Sequence, residues 1–294
     1  MSPPTPYDGS SRLFQIGIKP LDPAEWIDSD DSLAAQLAEK RRIFADHPAE
    51  TFVAEADTGA AQAELLHLLA DHLPHRFPAS YARQGNAVLI HASGDRVDLD
   101  APGPKLLTAS LLVAEDLVIL RKGPDGWRLA AAALAFPSSW VLAEKFGRPM
   151  HEIHAPVPGF GAGTRPALLI ERMFDNMRPE MPMIRWNWSL YGDDRLYHPD
   201  VAGPDTRRFG ADMASIFLRV ERQTLRRLPE SGDIVFTIRI HLDPLATLEA
   251  RPEAGRIAAA LAEQLLALDA AQLDYKGLTL ERDRLVSRLE RVGR

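Results

Sequence analysis

Two histidines three residues apart, His151 and His154, have the type and spacing that best suit metal chemistry in this sequence. Residues i and i+3 share a face of a helical turn, and Pro156 and Pro158 prevent a helix from continuing beyond the pair. The pattern predicts imidazoles held on a short, stiff element, which suits a ligand of a metal or of a haem iron. The alternative is a pair of helix-end histidines satisfied by the backbone or by solvent.

A second polar segment, residues 217–229, is strand-like, and a strand is predicted over residues 216–223. Because side chains alternate between the two faces of a strand, Arg219, Glu221 and Gln223 share one face and Arg222 lies on the other. A buried charge needs a partner, so a buried arginine here suits an anion such as a carboxylate or a haem propionate. The alternative is an Arg–Glu pair on a solvated face of the sheet.

Two tryptophans lie in another predicted strand, residues 183–191. Trp186 and Trp188 share a face by the same alternation, as either core residues or an aromatic wall for a ligand. The glycine-rich run 159–163 is predicted to be a flexible loop. It lacks the glycine spacing of a dinucleotide fingerprint, because Thr164 stands where a glycine is needed.

The composition excludes several classes of site. None of the 294 residues is cysteine, which excludes disulfides, thiolate-ligated haem, cysteine nucleophiles and iron–sulfur clusters held by this chain. A haem iron would therefore take its ligand from His, Tyr or Met. The formal net charge of −7 argues against nucleic acid or an anionic membrane as the main partner. Without a signal peptide or a long apolar run, we expect a cytoplasmic protein with no membrane span.

Helical patterns flank a strand-rich middle of the chain. The strands include a predicted hairpin around the turn residues 123–126, and amphipathic helices precede and follow them. The pattern predicts an α+β fold with a mainly antiparallel sheet of about five strands and helices on one face. We expect one domain over residues 1–294, with a core at 86–242 and helical extensions at 30–85 and 250–294.

Four segments resemble, in order, the haem-dependent oxidative N-demethylase family. They are Trp140-Val-Leu-Ala-Glu-Lys-Phe-Gly followed by Ile153-His-Ala-Pro-Val-Pro158, Arg185-Trp-Asn-Trp188, Leu218-Arg-Val-Glu-Arg-Gln-Thr-Leu-Arg-Arg-Leu-Pro229, and Val235-Phe-Thr-Ile-Arg239. The resemblance spans residues 10–290, and its Ile-His-x-Pro-Val-Pro and Glu-Arg-Gln-Thr-Leu segments are together fairly specific.

The resemblance implies a PAS-like domain that binds haem b and carries out oxygen chemistry at the iron. Characterised relatives remove an N-methyl group from a small secondary amine, release formaldehyde, and depend on separate reductase subunits. The role of axial iron ligand carries over to His154 in the Ile-His-x-Pro-Val-Pro segment, with His151 as the second choice. We therefore expect a small amine and O2 as substrates, and a separate flavin or iron–sulfur reductase subunit as electron donor.

The predicted site combines these residues. Glu221 and Trp188 are the candidate catalytic residues beside the amine, and Arg219, Arg222 and Gln223 are the candidate cofactor-binding residues. The favoured function is a haem enzyme, because no output module of a sensor is recognisable in the sequence. The alternative is a non-catalytic haem or gas sensor or a degenerate haem-binding subunit, with a haem-free binding module as a third reading. Homo-oligomers and hetero-oligomers are both open.

Overall fold

The chain is built around a seven-stranded antiparallel sheet in a computed structural model, which describes residues 4–200, 209–210, 213 and 215–292. Within those ranges the strands are β1 (Lys19–Pro20), β2 (Phe52–Ala54), β3 (Tyr81–Gln84), β4 (Ala87–Ile90), β5 (Asp95–Asp98), β6 (Asp116–Gly123), β7 (Gly126–Ala133), β8 (Met183–Tyr191), β9 (Phe217–Arg227) and β10 (Ile234–Pro244). The main sheet has the order β1-β8-β9-β10-β6-β7-β2, and β3, β4 and β5 form a separate three-stranded antiparallel sheet.

Several of the helices consist of a single turn. In the described residues they are α1 (Leu33–Asp46), α2 (Pro48–Thr51), α3 (Gly59–Arg76), α4 (Lys105–Ser110), α5 (Leu142–Lys145), α6 (Met150–Ile153), α7 (Arg165–Asp175), α8 (Leu245–Glu249), α9 (Ala254–Leu266), α10 (Ala270–Lys276) and α11 (Arg282–Val292). None of those described has both the length and the apolar character that a bilayer crossing requires.

The centre of the main sheet is the long hairpin of β9 and β10, with β8 on its outer side. The turn of the hairpin is closed by the Leu228 N–H, which donates to the Asp233 carbonyl at 2.8 Å. Gly232 occupies this turn with φ of 73°, a left-handed conformation in which a side chain would be strained. The hairpin aligns β9 against β8 from Met183 opposite Leu225 to Tyr191 opposite Phe217.

Helices cover both faces of the main sheet. The face that carries Trp188 and Val220, here called the Trp188 face, packs against α9 and α11 and, farther along the sheet, against α1 and α3. The opposite face, here called the Glu221 face, carries Leu225 and Ile238 and packs against α5, α6 and α7. Burial of apolar side chains on both faces supplies the main stabilising free energy of the fold.

The α+β class and the antiparallel sheet are confirmed, and so is the hairpin in which Gly123 pairs with Gly126. The expected count of about five strands is wrong, and so is the expectation of helices on one face only. β2 and β3 lie inside the predicted helical extension 30–85. These strands have three and four residues, too few for a clear alternation of side chains, so their pairing depends on tertiary contacts.

Candidate functional site

His154 stands at the C-terminal end of α6, a helix of only four residues. Its backbone N–H donates to the Met150 carbonyl at 3.0 Å, and its own carbonyl accepts from the Val157 N–H at 2.9 Å. Pro156 cannot continue the helix, so the chain turns away directly after the histidine. The Phe160 ring lies 6.3 Å from the imidazole, centroid to centroid. The backbone on both sides of His154 is thus held in place.

The imidazole of His154 is neutral at physiological pH. Burial lowers its pKa to about 4, the positive charges of Arg185 and Lys145 act in the same direction, and a hydrogen bond with the Met150 backbone opposes them. A neutral imidazole is the form that ligates a metal. The residue as a whole is half-buried.

His151 lies one turn earlier on α6 and interacts with a different element. Its charge acts on Glu171 of α7, a carboxyl whose pKa is raised mainly by burial. His154 instead interacts with Arg185 of β8. The two histidines of the predicted i, i+3 pair thus influence, or are influenced by, different charged side chains, Glu171 for His151 and Arg185 for His154.

The Glu221 face of the sheet presents polar side chains from two neighbouring strands. Arg185 pairs with Gln223 and Asn187 pairs with Glu221 in the β8–β9 register, so all four side chains lie on the same face. Gln223 donates from Nε2 to Oε2 of Glu221 at 2.6 Å. The other amide atom of Gln223, Oε1, is buried and has no hydrogen-bond partner among the described residues.

Arg185 is a cation with few protein partners. Its Nη2 donates to the Gln15 carbonyl at 3.3 Å, and its Nε is buried without a partner in the described part of the chain. Burial lowers the pKa of the guanidinium, while the charges of Glu221 and Tyr275 oppose that shift. A partly buried cation without a bound carboxylate is costly, and such groups concentrate at functional sites.

Tyr275, on α10, interacts electrostatically with Glu221 and Arg185 although it lies far from them in the sequence. Burial of its hydroxyl and the negative charge of Glu221 raise the pKa of Tyr275 to about 12, with a further contribution from Tyr191. The residue is nevertheless 40% exposed, and its ring contacts Phe14 edge-on at 5.8 Å. The hydroxyl thus faces the protein while part of the ring borders solvent. No motif or spacing in the sequence marks this residue.

The sequence contained one indication of Arg185, because side-chain alternation in the predicted strand 183–191 places it on the face opposite to Trp186 and Trp188. Tertiary pairing with β9 was still needed to show that it lies opposite Gln223. The predicted single face for Arg219, Glu221 and Gln223 is confirmed by the strand register. The side chain bonded to Glu221 is Gln223, so the alternative of an Arg–Glu pair on a solvated face does not describe these buried residues.

Three residues of the predicted site lie on the Trp188 face, away from His154. Trp188 is buried and contacts the Tyr7 ring at 6.3 Å, and Trp186 lies 6.5 Å from the His241 ring. Arg222 donates to the backbone carbonyls of residues 25 and 26, the second at 3.2 Å. Strand alternation sends even-numbered β9 side chains to this face, so the structure does not bring Trp186, Trp188 or Arg222 to His154.

Arg219 lies on the Glu221 face but points toward neighbouring loops. Its guanidinium donates to the Phe136 carbonyl and the Ser138 hydroxyl, both at 2.9 Å, and to the Leu196 carbonyl at 3.0 Å. It also lies 5.2 Å from the centre of the Tyr191 ring. These contacts tie β9 to the segments that border the polar face, and a direct role of Arg219 in cofactor binding stays a prediction.

Another group of potential metal ligands, Asp28, Asp30 and His241, lies on the Trp188 face. Arg239 donates to Asp30 at 2.8 Å, and the imidazole of His241 lies 3.1 Å from the Asp28 carboxylate. Both carboxylates therefore already have partners in the protein, Arg239 for Asp30 and the His241 ring for Asp28. We therefore attribute this group to the ion pairs that fasten the N-terminal segment to β10.

The surroundings of His154 fit a haem. Partly buried apolar side chains that pack against the core on the Glu221 face include Ile153 and Val157, on either side of His154 in sequence, and also Trp140, Phe146, Ile16 and Ile18. Apolar side chains suit the porphyrin faces, and the neutral imidazole of His154 suits the iron. The donor set thus matches a haem better than a bare metal ion, which would need several ligands.

A family model described as "Haem-dependent oxidative N-demethylase, alpha subunit-like" matches residues 17–286 of the chain. The match extends over nearly the whole sequence. It includes His154 and the polar residues of β8 and β9, together with Tyr275 of α10.

Proposed function

Because this chain belongs to the haem-dependent oxidative N-demethylase, alpha subunit-like family, we propose that it oxidatively removes a methyl group from a small methylated amine. The observation that carries the proposal is a neutral, half-buried imidazole, His154, beside a polar strand face that holds Glu221. The imidazole suits an iron, and the carboxylate suits a cationic amine. The same proposal includes a single PAS-like, haem-binding domain over residues 1–294.

The proposed cofactor is haem b, held through its iron by His154, with His151 as the alternative ligand. When bound, the haem supplies the binding and activation of dioxygen. The apolar residues around it would exclude water from the bound haem. The Met150 backbone orients the imidazole, and the half-buried Ile153 and Val157 offer apolar surface.

The amine is proposed to bind at Glu221. A small aliphatic amine is protonated near neutral pH, so a carboxylate attracts it and accepts a hydrogen bond or a proton from its nitrogen. Gln223 holds Glu221 through Oε2, which limits the rotation of the carboxylate. The partly exposed ring of Tyr275 adds an aromatic surface that favours a cation.

The reaction requires a partner. Removal of one methyl group with one dioxygen consumes two electrons and two protons, and it yields the demethylated amine, formaldehyde and water. The chain contains no cysteine to ligate an iron–sulfur cluster. We propose that a separate flavin or iron–sulfur reductase subunit supplies the electrons, in keeping with the alpha-subunit-like description of the family.

The experiment is a turnover assay on haem-loaded protein with dimethylamine, O2 and an artificial electron donor. The expected result is amine-dependent O2 consumption with release of formaldehyde, and a change in the Soret band when amine binds. Glu221→Gln should lower kcat/KM by roughly tenfold or more, because the charge that attracts the amine is lost. A haem-loaded protein that shows no spectral response and no formaldehyde with a panel of methylated amines would indicate a sensor or a degenerate subunit.

A further inference from the structure

Two opposite charges share the Glu221 face without forming an ion pair with each other. In the β8–β9 register Arg185 lies opposite Gln223, and Glu221 lies two residues from Gln223 along β9. Arg185 and Glu221 are therefore diagonal neighbours, with Cα atoms about 7–8 Å apart. The two charges are close enough to affect each other, yet each retains capacity for a ligand.

The hydrogen-bonding capacity of Arg185 is largely unused. A guanidinium has five N–H donors, and the described residues accept one hydrogen bond from it, at the Gln15 carbonyl. Its Nε is buried and unpartnered, and so is Oε1 of Gln223, a residue that is 7% exposed. Buried polar groups without partners are rare in proteins, and each one calls for an explanation.

Glu221 is held from one side only. Gln223 donates to Oε2, and no described residue donates a hydrogen bond to Oε1. The face thus offers a carboxylate and a guanidinium on diagonally neighbouring positions of two strands, each with hydrogen-bonding capacity left. A simple alkylamine would use the carboxylate and leave the guanidinium without a partner.

We propose that the substrate is a zwitterionic N-methyl amino acid or a close analogue, whose ammonium binds Glu221 and whose carboxylate binds Arg185. This inference rests on the proposed demethylase function and narrows its substrate class. Arg185 forms charge-assisted hydrogen bonds to the substrate carboxylate, which removes the unpaired buried donor. Glu221 and Arg185 together set the direction in which the N-methyl group is presented.

The test compares the binding of three probes to haem-loaded protein by calorimetry: N-methylglycine, dimethylamine and acetate. N-methylglycine should bind about tenfold or more tighter than dimethylamine, since it satisfies both charges, and acetate should bind weakly. In Arg185→Gln the ratio of the two amine affinities should fall toward one, and Arg185→Lys should restore part of it. Glu221→Gln should weaken both amines.

Each other outcome decides a different question. Equal affinities for N-methylglycine and dimethylamine in the wild type would overturn the zwitterion proposal and leave the demethylase function standing. Loss of haem from Arg185→Gln, measured as the Soret absorbance per folded protein, would overturn it in favour of a propionate partner. Haem-loaded protein that binds none of the probes would argue against the proposed function itself.

Discussion

Gln223 donates a hydrogen bond of 2.6 Å from its side-chain Nε2 to Oε2 of Glu221, two residues earlier on the same strand. Side chains at i and i+2 of a strand point to the same face, so the amide supports the carboxylate from the side. The arrangement orients Glu221 without neutralising its charge. A carboxylate held in this way remains able to attract a cation, which an Arg–Glu pair would not allow.

Removal of this support should weaken amine binding. In Gln223→Leu the carboxylate loses a charge-assisted hydrogen bond, whose net worth is about 1.5–3 kcal/mol. Part of this loss is recovered by rotation of Glu221, so the Kd for amine should rise about five- to tenfold while haem content stays unchanged. The measurement is a titration of haem-loaded protein with amine.

A matched control is Thr224→Val, on the same strand but on the Trp188 face. Thr224 is buried and shares a hydrogen bond of 2.6 Å with Thr237. This change should lower the free energy of unfolding and leave the Kd for amine unaltered. An equal rise in Kd for both variants would show that Gln223 acts through general stability rather than through Glu221.

Replacement of the proposed iron ligand should abolish haem retention. His154→Ala should lose most of the Soret band, and added imidazole should restore part of it by occupying the vacated ligand position. His151→Ala is the control, because it lies three residues away on the same short turn and interacts with Glu171. Retention of haem in His154→Ala together with its loss in His151→Ala would transfer the ligand role to His151.

Arg222 should contribute to the stability of the fold. Its guanidinium donates to the carbonyls of residues 25 and 26, which are left without these donors in Arg222→Leu. The expected loss is about 1–3 kcal/mol in the free energy of unfolding, measured with denaturant. Haem affinity per folded protein should not change, because Arg222 and His154 lie on different sides of the sheet.

Arg226→Leu is the comparison for Arg222, since Arg226 lies on the same strand and the same face. Its guanidinium stacks over Trp26 at 4.5 Å, and its Nε has no partner among the described residues. We expect a smaller loss of stability from this change. A specific fall in haem affinity for Arg222→Leu alone would support the propionate role that the sequence suggested.

His72 should make the protein less stable in acid. Burial first, and then the charges of Arg226, Arg76 and His75, lower the pKa of His72 to about 4 in the folded state. The unfolded chain binds this proton at a higher pH, near 6.5. The stability from the neutral imidazole is therefore present above about pH 6.5 and is lost as the pH falls toward 4.

The variant His72→Gln should show a smaller decrease in the free energy of unfolding between pH 7 and pH 4. The difference should be about 1 kcal/mol, less than the full linkage value because the half-exposed imidazole is screened by solvent. His75→Gln, an exposed residue on the same helix, should follow the wild type. Identical pH profiles for wild type and His72→Gln would contradict the lowered pKa of His72 as a cause of acid destabilisation.

Local chemistry in the sequence was enough to predict several parts of this protein. The alternation of side chains gave the strand at Met183–Tyr191 and the common face of Arg219, Glu221 and Gln223, both of which the structure confirms. Proline positions predicted that His154 stands at the end of a short element. These features depend on backbone geometry over a few residues, so a single sequence contains the information.

Tertiary structure alone decided which of these residues meet. Strand pairing set Arg185 opposite Gln223, and α10 brought Tyr275 to Glu221 from a distant part of the chain. The same folding sent Trp188 and Arg222 to the other face, although they are neighbours of site residues in sequence. The physical reason is that the alternation of side chains separates the residues of a strand into two faces, but it does not identify what covers each face. Long-range packing determines which face lies against the His154 segment.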